Sequence, residues 1–135
     1  MSFDLAVWYP DRLLSSEDSG KRYVRLCAGD VSDIVEHVAV AAFYDELVAK
    51  HPEIDTIPEE RIDDTEYCPW SIAMDRSPGH VIMCCVWSRA EYVRGFVGEL
   101  AAKHGLVLYD PQAGVATFPL VPRSPSGRKP WWKLW

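Results

Sequence analysis

The sequence contains no apolar run long enough to cross a bilayer. The longest, 38–44 and 81–87, fall far short of the ~20 residues that a helical span needs. It also lacks a basic excess, because 14 Lys and Arg stand against 20 Asp and Glu, for a net charge of −6. Covering a phosphate backbone takes Lys and Arg in surplus, so nucleic acid is not an expected partner. Asp4 comes early, and no basic stretch precedes an apolar one, so no secretory leader is expected and the expected compartment is the cytoplasm.

Chemical signatures are equally sparse. The four cysteines, Cys27, Cys68, Cys84 and Cys85, make no Cys-x-x-Cys, and no His lies at ligand spacing from a pair of them. Reduced, mostly buried thiols are expected, with no metal and no cofactor. There is no Gly-x-Ser-x-Gly elbow for a nucleophilic serine. The stretch Asp75-Arg76-Ser77-Pro78-Gly79 has a single glycine and leads into a strand, so it is no phosphate cradle. Cys68 is the one cysteine expected in a loop, and His37, His51, His80 and His104 are the bases that might approach it, but nothing local supports a Cys–His site.

What is present suffices for one folded domain. At 135 residues, 48% apolar and 25% charged, the chain can bury a single core without staples. Residues 3–9 alternate as a strand, with Phe3, Leu5, Val7 and Tyr9 on one face and Asp4, Ala6 and Trp8 on the other. Ser15-Ser16-Glu17-Asp18 reads as a helix start, Tyr23, Leu26 and Cys27 as its apolar stripe, and Gly29 as its stop. Asp30 or Ser32 is expected to cap a second helix running to Lys50 or His51, apolar nearly all round at 38–44 and so expected to be sandwiched. Residues 53–66 read as a loop holding at most one helical turn, Pro58-Glu59-Glu60-Arg61.

Strands are expected over 70–74 and 80–87, joined by a turn at 75–79. The second is apolar on both faces and belongs in the sheet interior. Ser88-Arg89-Ala90-Glu91 has the form of a capping box, and the helix it opens ends at Gly105. Strands over 106–110 and 115–118 complete the order β-α-α-β-β-α-β-β. The expected fold class is α+β, a mostly antiparallel sheet with helices packed on one face, ferredoxin-like in tendency.

The composition changes near Pro119. Beyond it stand Pro122, Pro125 and Pro130, the bases Arg123, Arg128, Lys129 and Lys133 with no acid, and Trp131, Trp132 and Trp135. The chain therefore divides into a domain, 1–119, and a Pro/Trp/basic tail, 120–135. The tail tryptophans can cover an apolar patch, bind a partner or touch a lipid surface.

Acidic residues concentrate in one loop. Glu53, Asp55, Glu59, Glu60, Asp63, Asp64 and Glu66 face Arg61 alone. Mutual repulsion there is answered by a basic partner or by solvent. The partner-binding residues expected from this pattern are Glu59, Glu60, Asp63, Asp64 and Glu66, with Trp70 as the aromatic anchor. The favoured class is a non-catalytic binding protein with a basic protein partner, and a homodimer is a variant of it. A small enzyme or ligand-binding domain with a site of scattered residues is the alternative.

Three stretches carry a resemblance: Phe3-Asp4-Leu5-Ala6-Val7-Trp8, Cys68-Pro69-Trp70-Ser71, and Gly105-Leu106-Val107-Leu108-Tyr109-Asp110-Pro111-Gln112. Together they resemble a set of small uncharacterised bacterial proteins, some of them like the immunity proteins of polymorphic toxin systems. The resemblance implies inhibition of a toxin and supplies no catalytic residues.

Overall fold

The computed structural model describes residues 2–119, and the tail 120–135 lies outside the described residues. Five strands form one antiparallel sheet. They are β1 (Ser2–Trp8), β2 (Asp75–Ser77), β3 (His80–Val86), β4 (Val107–Asp110) and β5 (Val115–Thr117), in the spatial order β2-β3-β1-β4-β5. Three helices, α1 (Ser16–Cys27), α2 (Val38–Lys50) and α3 (Ala90–Lys103), return the chain between them. The fold is α+β with an antiparallel sheet, as expected from the sequence.

The central strand explains the layering. Phe3, Leu5 and Val7 of β1 pack with Val40, Phe43 and Leu47 of α2 and Val93, Val97 and Leu100 of α3. Ala6 and Trp8 point the other way and pack with Leu26 and Tyr23 of α1. Helices thus cover both faces, α2 and α3 on one and α1 on the other, rather than one face only. The reason is already in β1 and β3, whose two faces are both apolar; each must be buried to leave water.

Local chemistry sets most boundaries. Ser15 caps α1 by accepting the Asp18 amide at 3.0 Å, and Gly29 follows its end at φ 86°, a left-handed turn that suits glycine. Gly105 does the same after α3 at φ 69°. The Gln112 side chain pairs with β1 as a strand would. Its Oε1 accepts the Asp4 amide at 2.7 Å and its Nε2 donates to the Asp4 carbonyl at 2.8 Å.

Four expectations are corrected. The strand expected over 70–74 is reduced to one bridge between Trp70 and Cys85, and pairing resumes only at Asp75–Ser77, so the turn narrows to Pro78-Gly79. The second helix begins at Val38, not after Asp30 or Ser32, because Asp30 bonds Ser32 instead and His37 Nδ1 accepts the Ala39 amide at 3.0 Å. That helix is not sandwiched: Val38 is 78% exposed. The Ser88–Glu91 box does not form, since a 3₁₀ turn over Trp87–Arg89 precedes α3 and no side chain caps it.

The loop before α2 is held by charge. Arg22, its side chain 1% exposed, bonds Asp11 at 2.9 Å, Asp33 at 3.0 Å and the Asp33 carbonyl at 2.8 Å, and lies over the Trp8 ring. Arg12 and Arg25 also reach Asp33. The Arg12 guanidinium, followed by those of Arg22 and Arg25, holds the Asp33 carboxyl far below the ordinary aspartate range.

Candidate functional site

The acidic loop is a built structure, pinned at both ends and in the middle. At its start, both nitrogens of the buried His51 are engaged. Nδ1 lies 2.9 Å from the Tyr67 carbonyl, which can only accept, so Nδ1 donates; Nε2 lies 2.8 Å from the Tyr92 hydroxyl. At its end, the Trp70 indole donates to the His51 carbonyl at 2.8 Å, and the Cys68 thiol to the Pro52 carbonyl at 3.2 Å. Between them, Glu53 accepts from the Tyr44 hydroxyl and from the Met74 amide, 2.8 Å for the latter. Arg76 lies over the Tyr44 ring at 3.8 Å.

Two short 3₁₀ turns, Ile54–Thr56 and Glu59–Arg61, fill the span; the second is at the position read from the sequence, and the first exceeds the single turn expected there. Arg61 is used internally: it bonds Asp64 at 2.9 Å and stacks over the Tyr67 ring at 3.5 Å. Asp64 also accepts the Tyr67 amide at 3.2 Å, and Arg61 first, then that amide, lowers its carboxyl pKa. Asp64 is thus an exposed acid with a structural task.

The other expected acids behave differently. Glu59, Glu60, Asp63 and Glu66 are exposed, as is Asp55, and among the described residues none of these carboxylates has an ion pair or hydrogen bond. Trp70 is corrected. It is 1% exposed, a core residue rather than a surface anchor, because its bond to His51 and its bridge to Cys85 draw the ring inward.

The exposed aromatic nearby is Trp87, the last residue of the strand expected over 80–87, which the sequence reading placed in the sheet interior. It is 52% exposed and meets Phe3 edge-on at 5.9 Å. Pairing sets its position. The Val86 amide donates to the Pro69 carbonyl at 2.8 Å and the Ser71 amide to the Cys84 carbonyl at 2.9 Å, so Trp87 leaves β3 beside the end of the loop. The available signal was its place after the last strand residue and before a Ser-Arg break.

Nucleophilic chemistry finds little support. Burial pushes the Cys84 thiol up to about 12 and Cys85 up to about 11, and burial raises Cys68 as well. Ser77 Oγ lies 2.6 Å from His80 Nδ1, and His80 Nε2 lies 3.8 Å from Asp75. The arrangement has the residues of a triad without an oxyanion hole on the following amides. Pro78 has no N–H, and the Gly79 N–H donates to Ser77 Oγ at 3.2 Å. His80 is 1% exposed. The cluster is a clamp on the hairpin.

No family model, no curated protein and no solved structure matches this chain. Among the described residues, no group of His, Cys, Asp and Glu is arranged to hold a metal ion, and no helix is long and apolar enough to cross a membrane.

Proposed function

We propose that this chain is a binding protein whose acidic loop docks on a basic protein, and most concretely that it is an immunity-type inhibitor of a basic toxin. The observation that carries the reading is the state of the loop. Its one arginine is engaged with Asp64 and Tyr67, while Asp55, Glu59, Glu60, Asp63 and Glu66 stand in solvent on a backbone fixed by His51, Glu53 and Trp70. Ordering a loop in advance removes part of the entropy that binding otherwise costs. Clustered charge of one sign steers a partner of the other and sets its register. Trp87 beside the loop supplies the apolar contact that charge lacks, and tryptophan is the residue most enriched at binding hot spots.

The test is protection. The chain is co-expressed with the product of any toxin-sized reading frame found to adjoin its gene, and growth is followed. The wild-type chain should relieve arrest, and the combined variant Glu59→Lys, Glu60→Lys, Asp63→Lys, Glu66→Lys should fold yet fail to do so, with wild-type affinity falling as salt rises. Asp64 is left intact because its reversal would damage the turn. Unchanged protection by the folded variant would overturn the reading.

A further inference from the structure

We propose that the apolar groove between α3 and the outer strands β4 and β5 is the seat of this chain's own C-terminal segment, entered by a tail tryptophan. The groove holds about 230 Å³ and is lined by Gly98, Ala101 and Ala102 of α3, by Leu106 and Leu108, and by Phe118 and Pro119 at its mouth. It lies on the opposite side of the sheet order from β2, with which the acidic loop connects.

Three observations select the occupant. First, the described chain reaches Pro119, itself part of the groove wall, so the segment that follows starts at the site. Trp131 lies twelve residues beyond Pro119, a reach of at most about 40 Å for extended chain. A return to the groove is within that length.

Second, α3 places on the groove floor a glycine that no described contact requires. A Cβ at Gly98 would meet only Leu108, at an ordinary 3.8 Å. Each glycine in a helix costs about 0.8–1.0 kcal/mol relative to alanine. Gly98 with Ala101 and Ala102 leaves a smooth floor on which a flat ring can lie close to the helix backbone. Third, the tail supplies such rings: Trp131, Trp132 and Trp135 fall within its last residues, and nothing else in 120–135 is as large and apolar.

The experiment uses the full chain, labelled for NMR. Nuclear Overhauser contacts are expected between tail indole protons and the side chains of Ala102 and Leu108. Replacing Trp131, Trp132 and Trp135 together by Ala should remove them, shift the amides of Gly98, Ala102, Leu108 and Thr117, and lower Tm by at least about 3 °C. Gly98→Leu, which fills the groove from its floor, should remove the same contacts. In that background the tail substitutions should no longer change Tm. The direct contacts are read in the wild-type chain, so the test stands even if Gly98→Leu fails to fold. Absence of indole contacts in the groove would overturn the proposal. Contacts that grow with protein concentration would overturn it too, since they would place a second copy there.

Discussion

The Trp70 indole donates to the backbone carbonyl of His51 at 2.8 Å, across the acidic loop, from the last residue of that segment to the residue that caps α2. This bond closes the loop, and the same His51 holds Tyr67 and Tyr92 through its ring. Trp70→Phe keeps the ring's apolar bulk but leaves the carbonyl unpaired, and should cost about 1–3 kcal/mol. Trp70→Ala also opens a cavity and should cost roughly 3–5 kcal/mol. Urea unfolding measures both. Equal losses would mean that the ring's bulk adds nothing beyond the hydrogen bond, and a neutral Trp70→Phe would mean that the hydrogen bond contributes nothing.

Arg22 and Asp33 make the second prediction. A guanidinium 1% exposed against a carboxylate that also receives Arg12 and Arg25 is a charge taken out of water and kept there by its partners. Asp33→Asn removes one of the two carboxylates that face Arg22, while Asp11 and the Asp33 carbonyl stay in place, and should cost about 1–3 kcal/mol. Arg12→Gln, whose side chain is half exposed and screened by solvent, should cost far less. Denaturant midpoints of the two variants check the contrast. If the two cost the same, the burial of Arg22 is not what makes Asp33 matter.

Much of this was legible in the chain. Alternation in residues 3–9 gave both faces of β1, Ser15 and Gly29 bracketed α1, and Gly105 closed α3, because each rests on a local rule of backbone or side chain. The errors came where distant groups decide. Nothing local shows that Arg22 will draw Asp11 and Asp33 together and hold 30–37 as a loop, which moves the start of α2 to Val38. Trp70 looked available because it follows an acidic run; its burial depends on His51 and Cys85, both distant in sequence. The acids of the loop were located correctly, but which of them are tied down, Glu53 and Asp64, depends on Tyr44, Met74 and Arg61.

Stability should fall on acidification from neutral pH because of His80. Burial holds its imidazole below the ordinary value, opposed by Asp75, while the unfolded chain titrates near 6.5. Between those two values the unfolded state binds the extra proton. The contribution is therefore complete above about 6.5 and declines as pH falls toward the folded value. Ser77 Oγ, which accepts the Gly79 amide, sits 2.6 Å from Nδ1, so a doubly protonated ring requires that contact to run from Nδ1 to Oγ. Tm measured from pH 8 to pH 5 should drop in the wild type and drop less in His80→Gln. Parallel curves would assign the pH dependence to other groups.

Gly79 gives a steric prediction with one expected sign. A Cβ there would stand 2.7 Å from the Val35 carbonyl oxygen, and backbone cannot step aside as a flexible side chain does. The hairpin is also tied to this segment by the His37 amide, which donates to the Pro78 carbonyl at 3.3 Å. Gly79→Ala should therefore cost about 1–3 kcal/mol. Hydrogen exchange should show the protection of the His37 amide lost first. A neutral or stabilised Gly79→Ala would show that the hairpin and the 34–37 segment are not held in this contact.

Trp87 and Trp70 should separate binding from folding. Trp70 is closed off from solvent, so its loss acts through stability. Trp87 is half exposed, rests edge-on against Phe3 and stands where the Val86–Pro69 bond brings β3 to the end of the acidic loop. Removing a half-exposed ring gives up only part of its buried area, and Trp87→Ala should cost under about 2 kcal/mol of stability. At an interface the same ring passes from water into a desolvated pocket, where hot-spot truncations cost at least about 2 kcal/mol, roughly a thirtyfold loss of affinity. Charge reversals in the loop should instead slow association and weaken its salt dependence, whereas Trp87→Ala should speed dissociation and leave that dependence nearly unchanged. Association and dissociation rates with the basic partner proposed above, at two salt concentrations, distinguish the two effects. Wild-type dissociation from the Trp87→Ala variant would remove Trp87 from the interface and leave the acidic loop to bind by charge alone.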